Sequence, residues 1–166
     1  MNLAEALEHQ PPGWLGSSQP YEAPDPAPAN PPKSTTPAKA GSGSILIVDD
    51  DESVTQSFAR ILTLEGYTVA VAKNGEAGLE RAAAARPDAI ILDLRMPLVD
   101  GLSFLRRLRA TDTEHQIPVA IVTGDYFLED GISIEVQRLG ASLRFKPLWL
   151  EDLVGLARTL LPKVTH

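Results

Sequence analysis

The fold of this chain is decided by the stretch Ser44-Ile45-Leu46-Ile47-Val48-Asp49-Asp50-Asp51. Its apolar half is rich in β-branched side chains, which is typical of a strand buried on both faces of a parallel sheet. Its acidic half places three carboxylates directly after that strand. Because ligands of open α/β sheets bind outside the carboxyl ends of the strands, this stretch predicts both a central strand and the position of a site.

The alternation of short apolar runs and amphipathic segments continues to the C-terminus. Strands that alternate with helices require right-handed crossovers and a parallel sheet covered on both sides. We therefore predict a flavodoxin-like (βα)5 three-layer sandwich, an α/β fold whose five-stranded parallel sheet has the order 2-1-3-4-5. The strands are predicted at 45–48, 67–71, 89–92, 119–122 and 143–145, and the last helix is predicted to bury Leu150, Leu153, Val154, Ala157 and Leu160.

The composition changes abruptly near Gly43. The upstream segment is rich in proline, alanine, serine and threonine, and it has too few apolar side chains to offset the entropy of ordering. We predict that residues 1–43 are a Pro-rich disordered tail and that residues 44–163 are one globular domain. Trp14 and Tyr21 are candidates for a docking motif, although such residues in proline-rich segments are more often incidental.

Composition also narrows the function classes. The chain has no cysteine, which excludes disulfides and thiolate metal sites. A net charge of −7 argues against a nucleic-acid surface, which needs clustered lysine and arginine. There is neither a signal-peptide pattern nor an apolar run of about 18 residues. We therefore expect a cytoplasmic protein that binds no nucleic acid and no membrane.

Three more predicted strands end on polar side chains of distinct chemistry. Asp93 ends the third strand, Thr123 ends the fourth, and Lys146 follows the fifth. Since the first, third, fourth and fifth strands are neighbours in the predicted order, these side chains should meet Asp49 and Asp50 at one edge of the sheet.

Clustered carboxylates with a hydroxyl and an ammonium indicate a Mg²⁺-assisted phosphoryl-transfer site. A hard divalent cation relieves the repulsion among carboxylates and screens the charge on a transferring phosphoryl group. One carboxylate can then act as the nucleophile and form an aspartyl phosphate. The hydroxyl can donate a hydrogen bond to a phosphoryl oxygen, and the ammonium can pair with another.

Each residue also has a simpler explanation. The run from Asp49 to Asp51 is typical of a helix N-cap, and we expect Asp51 to be only a cap or a solvated charge. Asp93 alone is compatible with a turn residue, and a lone Thr123 or Lys146 is usually structural or solvated. Four independent strand ends that each carry a suitable group are difficult to explain by capping alone, so we favour the functional interpretation.

The chain resembles the receiver domain of bacterial response regulators from about Ser44 to Leu161. The resemblance implies that Asp93 is phosphorylated, that Thr123 is the switch hydroxyl and that Lys146 pairs with the phosphoryl group. The motifs that carry the resemblance are Ile45 to Asp51, Ile91 to Pro97, Asp100-Gly101, Ile121 to Gly124, Gly140-Ala141 and Phe145 to Pro147. The metal ligands that it implies for Mg²⁺ are Asp49, Asp50, Asp93 and the backbone carbonyl of Arg95.

The resemblance also implies partners. The phosphoryl source would be a phosphohistidine on a histidine kinase or a histidine phosphotransfer protein. The response would be a shift of the face formed by the fourth helix, the fifth strand and the fifth helix, which would signal to a downstream protein as a monomer or a weak homodimer. Because no output domain follows His166, we expect a single-domain response regulator in a phosphorelay, not an enzyme.

One position departs from the usual receiver pattern, and one pair of charged residues flanks the predicted site. The family commonly has an aromatic residue three positions before the lysine, where this chain has Leu143. Phe145 lies on the same strand face by the period of two. Arg95 and Asp125 lie two residues past Asp93 and Thr123, and we hypothesise that they pair across the phosphoryl group and hinder the attacking water.

Three other functions are less compatible with these residues. A phosphorylation-independent pseudo-receiver would normally have lost one of Asp50, Asp93 or Lys146, and only Leu143 favours it. A phosphatase of the haloacid dehalogenase type would place a second aspartate where Arg95 stands. A dinucleotide site needs a glycine-rich turn after the first strand, and that turn is acidic here.

Overall fold

A computed structural model describes residues 43–112 and 116–162 of the chain. Strands and helices alternate throughout these ranges, as the hydrophobic pattern predicts. The strands are β1 Ser44–Val48, β2 Thr68–Ala72, β3 Ala89–Asp93, β4 Val119–Thr123 and β5 Ala141–Phe145. The helices are α1 Glu52–Leu64, α2 Gly75–Ala85, α3 Gly101–Thr111, α4 Asp130–Arg138 and α5 Leu150–Leu160. The predictions for residues 1–42, including Trp14 and Tyr21, and for residue 163 lie outside the described residues.

The five strands form one parallel sheet of order β2-β1-β3-β4-β5, which confirms the predicted topology. The residues of β3 and β4 are all buried, whereas the edge strands β2 and β5 are partly exposed. Continuous apolar runs such as Ile45 to Val48 therefore correspond to strands covered on both faces. The central position of β1, β3 and β4 brings their carboxyl ends together at one edge of the sheet.

Two apolar layers lie on opposite faces of the sheet. One joins the sheet to α2, α3 and α4 through residues such as Ala82, Phe104 and Val136. The other joins it to α1 and α5 through Leu62 and Leu153. This is the predicted three-layer sandwich.

The prediction that Leu150 belongs to the core is wrong. Leu150 is 57% exposed, whereas Leu153, Val154, Ala157 and Leu160 are buried as predicted and Leu156 is buried with them. Leu150 is the first residue of α5. The helical period assigns a residue to a side of the helix, but it does not determine whether other elements cover the first turn.

Caps at the helix starts position the strand ends. The side chain of Asp51 accepts hydrogen bonds from the backbone N–H groups of Ser53 and Val54, at 2.9 and 3.3 Å, so it is the N-cap of α1 as predicted. Asp100 caps α3 in the same way through Ser103. These caps anchor the loops that follow β1 and β3 beside Asp49 and Asp93.

Gly101 allows α3 to begin directly against the end of β3. A Cβ atom at this position would lie 2.4 Å from the backbone oxygen of Asp93. Only glycine permits this approach without a shift of the backbone. Within the described ranges, none of the helices has the length and apolar character needed to cross a bilayer.

Candidate functional site

Three carboxylates meet where β1 and β3 end. Asp49, Asp50 and Asp93 each offer one oxygen, and these oxygens lie within 4.8 Å of one another. Asp49 and Asp93 are 4% and 7% exposed, whereas Asp50 is exposed. The parallel pairing of β1 with β3 explains the cluster, because it brings both strand ends to the same level. The structure thus places together the three aspartates that the sequence singled out.

Lys146, which directly follows β5, reaches this cluster with its side chain. Its Nζ atom lies 2.9 Å from Asp49 Oδ2 and 3.1 Å from Asp93 Oδ1. Its backbone N–H donates to the carbonyl oxygen of Thr123 at 2.8 Å, which extends the pairing of β4 with β5 by one residue. One ammonium therefore compensates two buried carboxylates.

The electrostatics of the cluster follow from burial and crowding. Burial raises the pKa of Asp93, the charge of Lys146 opposes this change, and the nearby charge of Asp49 raises the pKa further. Burial lowers the pKa of Lys146, but the hydrogen bond to Asp49 and the charges of both aspartates outweigh it, so its pKa lies above the usual value. The site thus holds excess negative charge that a cation would relieve.

The donor set fits Mg²⁺. Carboxylate oxygens are hard ligands, and two oxygens bound to one Mg²⁺ at about 2.1 Å lie about 3 to 4 Å apart. The three oxygens lie within 4.8 Å of one another, which is close to that separation. Asp49, Asp50 and Asp93 are therefore the side chains that would hold the ion.

Thr123 is completely buried at the end of β4. Its Oγ1 accepts a hydrogen bond from the backbone N–H of Asp125 at 3.1 Å. A hydroxyl that accepts one hydrogen bond can still donate its own hydrogen. Because β4 pairs directly with β3, Thr123 lies beside the strand that carries Asp93.

Arg95 and Asp125 form the predicted pair between the loops after β3 and β4. Arg95 Nε and a terminal guanidinium nitrogen donate to Asp125 Oδ2, at 3.1 and 2.5 Å. The hydrogen bond from Arg95 lowers the pKa of Asp125, and the backbone N–H of Phe127 acts in the same direction. The pair is confirmed, while its effect on hydrolysis stays a prediction.

One contact near the site was missed by sequence reasoning. The hydroxyl of Tyr126 donates a hydrogen bond to the backbone carbonyl oxygen of Lys146. The ring of Tyr126 stacks on Phe145, with centroids 5.5 Å apart and planes inclined by 12°. An aromatic residue three positions past Thr123 was the only available signal, and it does not identify a partner.

Leu143 and Gly124 make no polar contact with the site through their side chains. Leu143 is partly buried and packs against the core layer that contains α4. Gly124 is exposed, and a Cβ atom added there would meet no atom within 4 Å. The space next to Thr123 is therefore open.

Comparison with known proteins agrees with this geometry. A sequence profile of the family described as the response regulator receiver domain matches residues 45–154. The chain belongs to the response regulator receiver domain family. This receiver domain is similar to the response regulator MprA of Mycolicibacterium vanbaalenii, with 39% identity over 124 residues, and to MprA of Mycobacterium ulcerans, with 41% identity over 120 residues.

The receiver domain matches only part of those relatives. The two alignments cover 73% and 70% of this chain but 51% and 49% of the relatives, so the chain spans about half of their length. Among solved structures, it resembles the chemotaxis protein CheY4 of Vibrio cholerae, with a TM-score of 0.65 and 29% identity over 71% of this chain and 98% of that chain. A CheY-like receiver domain protein from Methanospirillum hungatei matches with a TM-score of 0.65 and 27% identity, covering 71% of this chain and 92% of that one.

Proposed function

We propose that this receiver domain accepts a phosphoryl group on Asp93 from a phosphohistidine of a histidine kinase or histidine phosphotransfer protein. The observation that carries the proposal is the buried carboxylate of Asp93, which lies within 3.1 Å of Lys146 Nζ and next to two further aspartates. A carboxylate held beside a cation and a metal-binding cluster is suited to act as a nucleophile toward phosphorus. Membership of the receiver family supports the same assignment.

The covalent step exchanges one bond for another. A carboxylate oxygen of Asp93 attacks the phosphorus atom, the bond from phosphorus to the imidazole nitrogen breaks, and that nitrogen retains the electron pair. Lys146 pairs with a phosphoryl oxygen, and Thr123 donates its hydroxyl hydrogen to another. Mg²⁺ held by Asp49, Asp50, Asp93 and the carbonyl of Arg95 would screen the charge of the phosphoryl oxygens.

The phosphorylated domain would signal by protein contact. The aspartyl phosphate shifts a two-state population, and a downstream protein binds one of the two states more tightly. The proposed role is therefore that of a cytoplasmic signalling protein and not of a turnover enzyme, because the phosphorylated state is itself the signal. We propose that the domain acts in a phosphorelay as a monomer or a weak homodimer.

Phosphorylation by a small acyl-phosphate donor tests the proposal. The wild-type chain and Asp93→Asn are incubated with the donor, with Mg²⁺ or with a chelator, and intact mass is recorded. We expect one added phosphoryl group in the wild type with Mg²⁺ and none in the other three samples. Asp51→Asn serves as the matched control, because Asp51 is a helix cap and asparagine caps equally well.

A pseudo-receiver that acts without phosphorylation is the second candidate. The observation in its favour is Leu143, an aliphatic side chain packed into the core at the position where receivers commonly carry an aromatic residue. Absence of phosphoryl incorporation together with absence of Mg²⁺ binding would favour this candidate over the first.

A further inference from the structure

The segment that follows Thr123 is held from two sides. Asp125 donates its backbone N–H to Thr123 Oγ1 and pairs with Arg95 through its carboxylate. Tyr126, the next residue, bonds to the end of β5 through its hydroxyl. Two consecutive residues, Asp125 and Tyr126, thus connect the loop after β4 to both neighbouring loops at the sheet edge.

The contact of Tyr126 involves the residue that pairs with the acceptor aspartate. Its hydroxyl donates to the carbonyl oxygen of Lys146, whose Nζ contacts Asp93. Its ring covers Phe145, the residue immediately before Lys146. We call the hydrogen bond and the ring stack together the Tyr126 clasp. The clasp therefore joins the backbone that carries Thr123 to the backbone that carries Lys146.

The clasp lies at the surface and is made of groups that can separate without disrupting the core. Tyr126 is 60% exposed and Phe145 is 43% exposed. Leu143 is instead packed into the core, so the aromatic pair next to the site is the exposed one. Opening the clasp would uncover the aromatic face of Phe145 and change the surface beside α4.

We propose that Tyr126 is a positioning residue: the Tyr126 clasp holds the Thr123 segment in its unphosphorylated position, and it opens when Asp93 carries a phosphoryl group. The inference rests on the proposed function, since it assumes that Asp93 is the acceptor. Only two residues separate Tyr126 from Thr123, so movement of the Thr123 hydroxyl toward Asp93 pulls the ring away from Phe145. The site and the surface then change together.

The affinity for beryllofluoride, which mimics a phosphoryl group on a carboxylate, tests the proposal on the full chain with Mg²⁺. A ligand that favours the open state binds more tightly when a contact specific to the closed state is removed. We expect a dissociation constant lowered about threefold by Tyr126→Phe, which loses one hydrogen bond, and about tenfold by Tyr126→Ala, which also loses the ring pair. Phe145→Leu, which removes the stack from the other side, should lower it as well.

Phe127→Ala is the matched control. Phe127 is the next residue, it is 94% exposed, and among the described residues its ring takes part in no aromatic pair. Its replacement should leave the beryllofluoride affinity unchanged. An equal change in this variant would show that the effect comes from general loosening of the loop and would overturn the proposal.

A direct view of the ring comes from ¹⁹F NMR of the chain labelled with fluorotyrosine. The chain has three tyrosines, and Tyr126→Phe assigns the signal of interest by its loss. We expect beryllofluoride with Mg²⁺ to shift the Tyr126 signal. If the wild type binds beryllofluoride but this signal stays in place, or if Tyr126→Ala binds no more tightly than the wild type, the clasp has no such role. If the wild type does not bind at all, the proposed function fails first.

Discussion

Lys146 Nζ lies 3.1 Å from Asp93 Oδ1, although the two residues are 53 positions apart in the chain. The contact forms because the strand ends of β3 and β5 lie on the same edge of the sheet, with β4 between them. The side chain of Lys146 is only partly shielded from solvent, whereas that of Asp93 is nearly buried. The pair therefore links the stability of the domain to the charge state of its proposed acceptor.

Lys146→Met should destabilise the Mg²⁺-free domain. The substitution leaves the two buried carboxylates of Asp49 and Asp93 without a cation. We expect the free energy of unfolding to fall by about 2 kcal/mol. This is less than the roughly 3 to 5 kcal/mol expected for a fully buried pair, because Lys146 retains some exposure. Urea unfolding with and without Mg²⁺ measures the effect. Added Mg²⁺ should stabilise the variant more than the wild type, because the ion then supplies the missing positive charge. Equal gains in the two proteins would contradict this explanation.

Asp93→Asn should stabilise the Mg²⁺-free domain at pH 7. Burial raises the pKa of Asp93 above its value in the unfolded chain, so the ionised carboxylate costs free energy in the folded state. That cost is fully present above the folded pKa and disappears as the pH falls through it toward the unfolded value of about 3.9. The gain from Asp93→Asn should therefore shrink between neutral and acidic pH in a series of urea unfolding curves.

Mg²⁺ provides the control for this pH series. With the ion present, the wild type gains stability from a carboxylate ligand that the variant lacks. The difference in the free energy of unfolding between the two proteins should therefore shrink to about zero or change sign. A variant that is less stable than the wild type at pH 7 without Mg²⁺ would show that the hydrogen bond to Lys146 outweighs burial.

Arg95→Ala should shorten the lifetime of the phosphorylated state. The pair of Arg95 with Asp125 bridges the loops that follow β3 and β4, and its removal should open a path for water. We expect dephosphorylation to accelerate about two- to fivefold, in keeping with the modest strength of exposed pairs. Loss of phosphate after removal of the donor gives the rate.

Asp125→Asn and the variant with both substitutions complete a double-mutant cycle. Dephosphorylation of the double variant should be no faster than that of either single variant. Arg106→Ala is the matched control, since Arg106 forms a comparable pair with Glu135 between α3 and α4. The hypothesis fails if Arg95→Ala leaves the rate at the wild-type value.

Gly101→Ala should destabilise the domain and disturb the acceptor. The new Cβ would lie 2.4 Å from the backbone oxygen of Asp93, so the end of β3 must shift. We expect a loss of about 1 to 3 kcal/mol from this overpacking, with slower phosphorylation. Gly131→Ala in α4 is the contrasting variant, because no atom lies within 4 Å of its added Cβ, and it should gain about 0.5 to 1 kcal/mol. Thermal unfolding distinguishes the two, and similar effects at both positions would refute the steric argument.

Much of the fold could be predicted from local patterns. Continuous apolar runs such as Ile45 to Val48 identify strands covered on both faces, and Asp51 identifies a helix start. The exposure of Leu150 could not be predicted, because a helical period carries no information about what covers the first turn of α5. The strand order followed from general topological rules, and the structure confirms it.

The sequence by itself determined which side chains stand at the ends of the strands, and therefore that Asp49, Asp50, Asp93, Thr123 and Lys146 gather at one edge. Only the tertiary structure decided their partners. The bridge of Lys146 to two aspartates and the stack of Tyr126 on Phe145 depend on side-chain rotamers and on distances across neighbouring strands. Periodicity reports on residues a few positions apart, whereas these contacts join separate segments of the chain and exist only after the sheet has assembled.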